Sequence, residues 1–379
     1  MADREWTVEL APGVSAFAAA EWDAMAGTAN PFVKHGFLSA LEDSGSVGPG
    51  TGWQAMPLVV RDENGAPRAA LPAYAKGHSQ GEYVFDHAFA DAYERAGGRY
   101  YPKLQIAAPF TPATGPRLLL SDPALAFPLL SAAEQVCLQN GFSSAHATFI
   151  EPQQLPLFED AGWLLRSDIQ FHWLNHDFTT FEDFLATLTS RKRKDLRKER
   201  AAAQEGLEIV RLSGDEIKPR HWDAFWHFYQ DTGQRKWGHP YLTREAFDLF
   251  GERMGERIVL VLALENGEPI AGALNFVGSD ALYGRYWGCT KQVRFLHFEL
   301  CYYQAIDIAI ERGLPKVEAG AQGGHKLARG YEPVETVSAH WFADPGFRTA
   351  VAEFLERERE GVAADRNYLE RRTPFKKPG

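Results

Sequence analysis

His297, Glu299, Tyr302, Tyr303 and Gln304 crowd into the start of one expected helix, 298–311 with its approach. Glu299 and Tyr303 are four apart and share a helix face. A carboxylate or imidazole placed there can act as a general base, directly or through water. A Glu at a helix start also simply complements the helix dipole, and that reading stays open. The next strand, 316–319, and its extension alternate Glu318, Gly320 and Gln322 onto one face. A carboxylate inside a central strand is costly unless it is paired or functional. Gly323-Gly324-His325-Lys326 then reads as a strand-to-helix turn, where glycine lets a ligand approach the backbone. His325 and Arg329 are expected on one face of the helix that follows. In Leu282-Tyr-Gly-Arg-Tyr-Trp-Gly288, Arg285 either stacks on an aromatic neighbour or faces a cleft beside Tyr286 and Trp287 to hold an anion.

The first half of the chain offers two further clusters. Phe110-Thr-Pro-Ala-Thr-Gly-Pro-Arg117 is a tight loop whose Thr111, Thr114, Gly115 and Arg117 either bind an anion or only close the loop. Asp86, His87, Tyr93 and Lys103 belong to a polar, aromatic stretch. Arg191-Lys-Arg-Lys-Asp-Leu-Arg-Lys-Glu-Arg200 carries seven basic residues in ten. It is a solvated face, or it contacts CoA phosphates, tRNA or an anionic membrane. His221, His227 and His239 lack metal-ligand spacing. Ser143, Ser144 and Cys301 lack a nucleophile-elbow context. No phosphate-binding loop or dinucleotide fingerprint is present.

These residues must be positioned by elements that occur twice. Met56-Pro-Leu-Val-Val-Arg-Asp-Glu-Asn-Gly-Ala-Pro-Arg-Ala-Ala-Leu71 and Val259-Leu-Val-Leu-Ala-Leu-Glu-Asn-Gly-Glu-Pro-Ile-Ala-Gly-Ala-Leu274 both read as hairpins turning at Asn-Gly. Helices near 124–139 and 298–311 both stop at Gly, at Gly141 and Gly313, before a strand. Gly162-Trp163…His172-Trp173 and Gly330-Tyr331…His340-Trp341 repeat at identical spacing. A tandem α/β duplication follows, with domains 1–175 and 176–379, each a mixed sheet flanked by helices. The segment 181–204 is expected to be helical and to open the second unit.

The 379 residues carry a net charge of −10, three cysteines and 13% aromatics. An acidic chain is a poor general binder of DNA. Three scattered cysteines make neither a disulfide framework nor a zinc site. The start shows no basic region leading into an apolar stretch, and no apolar run approaches the 18 residues of a membrane span, so a cytoplasmic protein is expected.

The basic helix, Phe225-Trp-His-Phe-Tyr229, Tyr241-Leu-Thr and the second hairpin together resemble the second half of the Fem-type transferases, which are tandem GNAT-like acyltransferases. Gly81-Glu-Tyr-Val-Phe-Asp86, Asp91-Ala-Tyr-Glu-Arg-Ala-Gly97, Tyr100-Tyr-Pro-Lys103, Leu296-His-Phe-Glu-Leu-Cys-Tyr-Tyr-Gln304 and Glu318-Ala-Gly-Ala-Gln-Gly-Gly-His-Lys326 resemble the FemAB-like N-acyltransferases of proteobacteria. The resemblance implies two GNAT-like domains and N-acyl transfer, with acyl-CoA as co-substrate and no tightly bound cofactor or metal. Some members are linked to bacterial ceramide synthesis, and Fem enzymes move amino acids from tRNA onto peptidoglycan precursors. The chain lacks the coiled-coil insertion of several Fem enzymes, which weakens the tRNA reading; a non-catalytic lipid or muropeptide binder is a third. On this reading His297, Glu299, Glu318 and His325 are catalytic. Asp86, Tyr93, Lys103, Arg285, Tyr286, Trp287, Tyr303, Gln322, Lys326 and Arg329 bind substrate. Thr111, Thr114, Gly115, Arg117, Gly323 and Gly324 hold the donor, while Arg191, Lys192, Arg193 and Lys194 meet an anionic membrane surface.

Overall fold

The computed structural model describes residues 6–236, 240–321 and 323–376, with the side chains of 233–236 left aside. They form two compact units. The first holds residues up to 168 together with 335–364, and the second holds 169–334 with the tail from 365. The chain therefore crosses between units three times, whereas the sequence reading places one seam at 175/176. The repeated His-Trp pairs explain the pattern. His172-Trp173 lies in the strand Leu164–Leu174, whose end pairs with Lys316–Glu318 in the second unit. His340-Trp341 lies in Glu332–Phe342, which pairs with Ser144–Ile150 in the first. Each unit takes its last strand from the other half of the sequence.

In the second unit the strands run Glu208–Leu212, Ile258–Glu265, Glu268–Val277, Leu282–Cys289, Lys316–Glu318 and then 169–174. The near-continuous apolar run of Ile258–Glu265 is buried on both faces, as expected for a central strand. Its hairpin turns at Asn266 and Gly267, both at positive φ (54° and 83°). Helix 296–311 covers one face and stops at Gly313 in the left-handed region. The expected helix 181–204 is two, Phe181–Thr187 and Ser190–Gln204, because Leu188 is extended. Trp173, Phe184, Leu196, Val261, Leu300 and Val317 form part of the shared core.

The first unit repeats the plan with Trp53–Ala55, Ala73–Lys76, Lys103–Ile106, Ser144–Ile150 and 335–342. Its hairpin departs from the copy. Leu58–Arg61 and Pro67–Leu71 leave this sheet for a separate four-stranded one with Thr7–Leu10 and Leu119–Leu120. Pro57 and Pro72 stand where the strands switch sheets, and proline cannot donate to a ladder. Among the described residues, no helix is long and apolar enough to cross a membrane.

Candidate active site

Leu282–Cys289 runs parallel to Lys316–Glu318 but pairs with it only at Leu282↔Val317 and Tyr283↔Glu318. Beyond Tyr283 the strands part, and a pocket of about 120 Å³ fills the opening. Asn275, Arg285, Tyr286 and Trp287 line it from the strands, and His297, Cys301 and Tyr302 from the helix. The register with Glu268–Val277 slips between Leu274 and Asn275, the kind of bulge that re-aims a side chain. Asn275 is fully buried; its Nδ2 donates to Val259 O at 3.2 Å, and its Oδ1 has no hydrogen-bond partner among the described residues. A second pocket, of about 250 Å³, lies among Thr232, Cys289, Gln292 and Leu296 and shares Trp287 and His297 with the first.

The helix carrying these groups is irregular. Glu299–Tyr303 is a π turn between Leu296–Phe298 and Gln304–Glu311. Such an insertion breaks the 3.6-residue phase, so neighbouring side chains serve different surroundings. Cys301 and Tyr302 reach the pocket, while Tyr303 donates to Glu199. His297 packs edge-on against Trp287 and Tyr302, with centroids 5.2 and 5.4 Å apart. Tyr302 Oη lies 2.8 Å from His325 Nε2, and the two imidazoles are 6.1 Å apart. Tyr302 is thus hydrogen-bonded to His325 and ring-packed against His297.

Lys326 directly follows His325. Its side chain is buried, its Nζ donates to Gly320 O at 2.6 Å, and no carboxylate pairs with it among the described residues. Burial pushes the ammonium down to about 7, and the Arg285 charge pushes the same way. Lys326 and Arg285 together place positive charge at this end of the unit, with Arg285 lining the pocket. Gly323 has φ 124°, and a Cβ there would come within 2.7 Å of His325 Cε1, so glycine is needed where the turn seats the imidazole. Gly324 opens the turn that follows.

Several expected residues serve other ends. Glu299 is fully buried and accepts from Arg200 Nε and Nη2 at 3.1 Å, Gln204 at 2.8 Å and Gln304 at 2.6 Å. Three of these bonds fall on Oε1 and one on Oε2, and the carboxylate lines neither pocket. Glu318 is turned to Lys316 at 2.9 Å and His172 at 3.9 Å, away from the pocket that Ala319 lines. Gln322 lies outside the described residues. The turn Gly324–Arg329 is a 3₁₀ helix, so residues four apart diverge: His325 is exposed, whereas Arg329 is buried and grips Glu199. Arg329 also stacks 3.3 Å over Phe298 and holds His325 O, which makes it a positioning group.

The first-unit candidates are structural. Lys103, fully buried, bonds Glu82 at 2.7 Å, Ser79 at 2.8 Å and Asp86. Burial raises the Asp86 carboxyl, but Lys103 and His146 outweigh it and hold it below the usual range. Tyr93 packs on Phe347, 4.7 Å between centroids. Arg117 is buried, and its guanidinium donates to the carbonyls of Ala113, Pro116 and Thr148. Gly115 pairs with Ile150, Asn30 holds Thr114 O, and Thr111 bonds Pro109 O. Sequence reasoning missed Asn275 and the anchors Glu199 and Arg200; the odd polar residue in an apolar strand was the one signal for Asn275.

Solved structures with the same fold include FemX (12% identity, TM-score 0.55, covering 89% of this chain and 98% of that one). Another is the C-terminal domain assigned to a lysylphosphatidylglycerol synthetase of Agrobacterium fabrum (11%, TM-score 0.54, 89% and 95%). A tandem GNAT protein of the clavulanic acid pathway is also similar (13%, TM-score 0.46, 90% and 99%). No curated protein sequence matches the chain. A family model described as peptidoglycan biosynthesis and recognition matches residues 13–377. With that match over nearly its whole length, the chain belongs to the FemAB-like family.

Proposed function

We propose that the second unit is an N-acyltransferase that moves an acyl group from acyl-CoA, or a related thioester, to a primary amine. The observation that carries this reading is the pair of adjoining pockets with one shared wall, His297 and Trp287. A donor in the splayed strands and an acceptor from the adjoining pocket would meet at that wall. The amine nitrogen attacks the acyl carbonyl carbon, and the carbon–sulfur bond breaks. His297 takes the amine proton and gives it to the leaving thiolate, so that amide and free thiol are the products. The developing oxyanion faces Arg285, and the buried Lys326 ammonium adds its charge from beneath the surface, where charge stabilisation is strong. Asn275 Oδ1 offers an acceptor to an N–H of either substrate. No tightly bound cofactor is needed, since the thioester is a co-substrate.

The acceptor we favour is a sphingoid base or similar lipid amine, for which Trp287, Val293 and Leu296 of the adjoining pocket give apolar company. Such an acceptor fits an enzyme that visits an anionic membrane surface. The family description supports a second reading, aminoacyl transfer from tRNA to a peptidoglycan precursor. Incubation with acyl-CoA plus a sphingoid amine, and with aminoacyl-tRNA plus a muropeptide, followed by mass spectrometry of the amide, separates the two. His297→Ala should lower turnover about 100-fold or more with the fold intact by circular dichroism. Near-normal turnover in that variant overturns the assignment, and no amide from either substrate pair overturns the transferase reading itself.

A further inference from the structure

The basic helix Ser190–Gln204 is built against its own stability. Its first turn contains no acid, its N-cap Thr189 makes no side-chain hydrogen bond, and Arg191, Lys192, Arg193 and Lys194 crowd the end where the backbone dipole is positive. Cations there are unfavourable, and like charges three or four apart add to the cost. Two of the helix's arginines are neutralised: Arg197 by Glu182, and Arg200 by Glu299 and Asp307. Among the described residues, no carboxylate pairs with the first four or with Lys198. Arg191, Lys194 and Lys198 are exposed and spaced to form one outward stripe.

The chain's tail extends this stripe. Leu188 pairs with Phe375, Thr189 N donates to Pro374 O at 3.0 Å, and Lys376 N donates to Thr187 O at 2.9 Å. This seats the tail beside the start of the basic helix and brings exposed Arg371, Arg372 and Lys376 to the same corner of the unit. None of these three side chains has a carboxylate partner among the described residues either. Arg372 lies 4.1 Å over the ring of Tyr368, a half-exposed aromatic. A protein of net charge −10 therefore gathers unpaired cations from two distant stretches at one corner.

We infer that the helix start and the docked tail together form a docking surface for an anionic lipid bilayer. The inference rests on the lipid-amine reading above: a long-chain amine resides in a membrane, and the patch would bring the second unit to it. A bilayer is favoured over a nucleic acid because contact is confined to a plane. A folded RNA would overrun the patch onto a strongly acidic protein. Tyr368 is amphipathic and suits the headgroup zone. Stem carbons of Lys and Arg lie comfortably there as well.

The test uses the full chain and vesicles of phosphatidylcholine with or without phosphatidylglycerol, at low and moderate salt. Each basic residue at an anionic surface strengthens binding about fivefold, and screening acts over about 8–10 Å. A helix variant (Arg191→Gln, Lys194→Gln, Lys198→Gln) and a tail variant (Arg371→Gln, Arg372→Gln, Lys376→Gln) should each lower binding to anionic vesicles at least tenfold at low salt. Neither should change binding to neutral vesicles. Thermal stability of the helix variant should be unchanged or higher, which excludes misfolding as the cause. Unchanged vesicle binding in either variant overturns the inference. So does a loss confined to tRNA binding, which would give the surface to RNA. Vesicle binding is read without turnover, so a failed acceptor assignment leaves this result standing, and turnover on a short-chain, soluble amine should be the same in both variants.

Discussion

At the scale of single residues, the two acidic and basic groups nearest the bulged helix have opposite fates. Glu299 is fully buried and held by Arg200, Gln204 and Gln304, so it should matter to folding and little to chemistry. Removing one partner of a buried charge pair costs about 3–5 kcal/mol. Glu299→Gln should therefore lower unfolding free energy by more than about 2 kcal/mol in denaturant titrations, while kcat of the folded fraction stays within about threefold. A 100-fold loss of kcat in a stable variant would restore it as a base. Lys326 has no such partner, and burial holds it at about 7. Its folded value lies below the unfolded one near 10.4, so the unfolded chain binds more protons between about 7 and 10.4. Stability should rise with pH across that window, by up to about 1.4 kcal/mol per unit from this group. Turnover should move oppositely if the charged ammonium supports the oxyanion, falling as pH rises through about 7. Lys326→Met should flatten the stability slope and abolish that limb of the rate profile; a wild-type slope in the variant would remove Lys326 from the account.

At the scale of elements, the π turn decides which residues meet. Deleting Leu300 would restore the regular period and rotate 296–299 by about 100° relative to 304–311. His297 would leave Trp287, and turnover should vanish while helical circular dichroism persists; retained turnover would show that the bulge positions nothing. The gathering of His297, Arg285 and Trp287 was legible because a parallel strand followed by a helix delivers its end and the helix start to one place. The fate of Glu299 was not legible. It depends on Arg200, nearly a hundred residues earlier, and spacing within one helix carries no sign of that partner. The 3₁₀ form of Gly324–Arg329 escaped for a similar reason: His325 and Arg329 share a face only at 3.6 residues per turn. The Asn-Gly hairpins were legible from local turn chemistry, but not that Pro57 and Pro72 would send one of them to another sheet.

At the scale of the whole molecule, the duplication was readable as repeated landmarks, and its consequence lies in where the second landmark of each pair ends up. His172-Trp173 completes the second unit and His340-Trp341 the first. In the first unit Gly115 of the loop 107–117 pairs with Ile150, and that copy cannot be shed. A gene cut at the 175/176 seam would yield two products, each lacking a strand it needs and carrying one it cannot use. Expressed singly, both halves should be insoluble or unfolded; expressed together, they should reconstitute a soluble complex by fragment complementation. The exchange acts as a ratchet: with strands traded between the copies, neither half of the sequence can be lost without leaving the other short of a strand, whichever of them carries the chemistry.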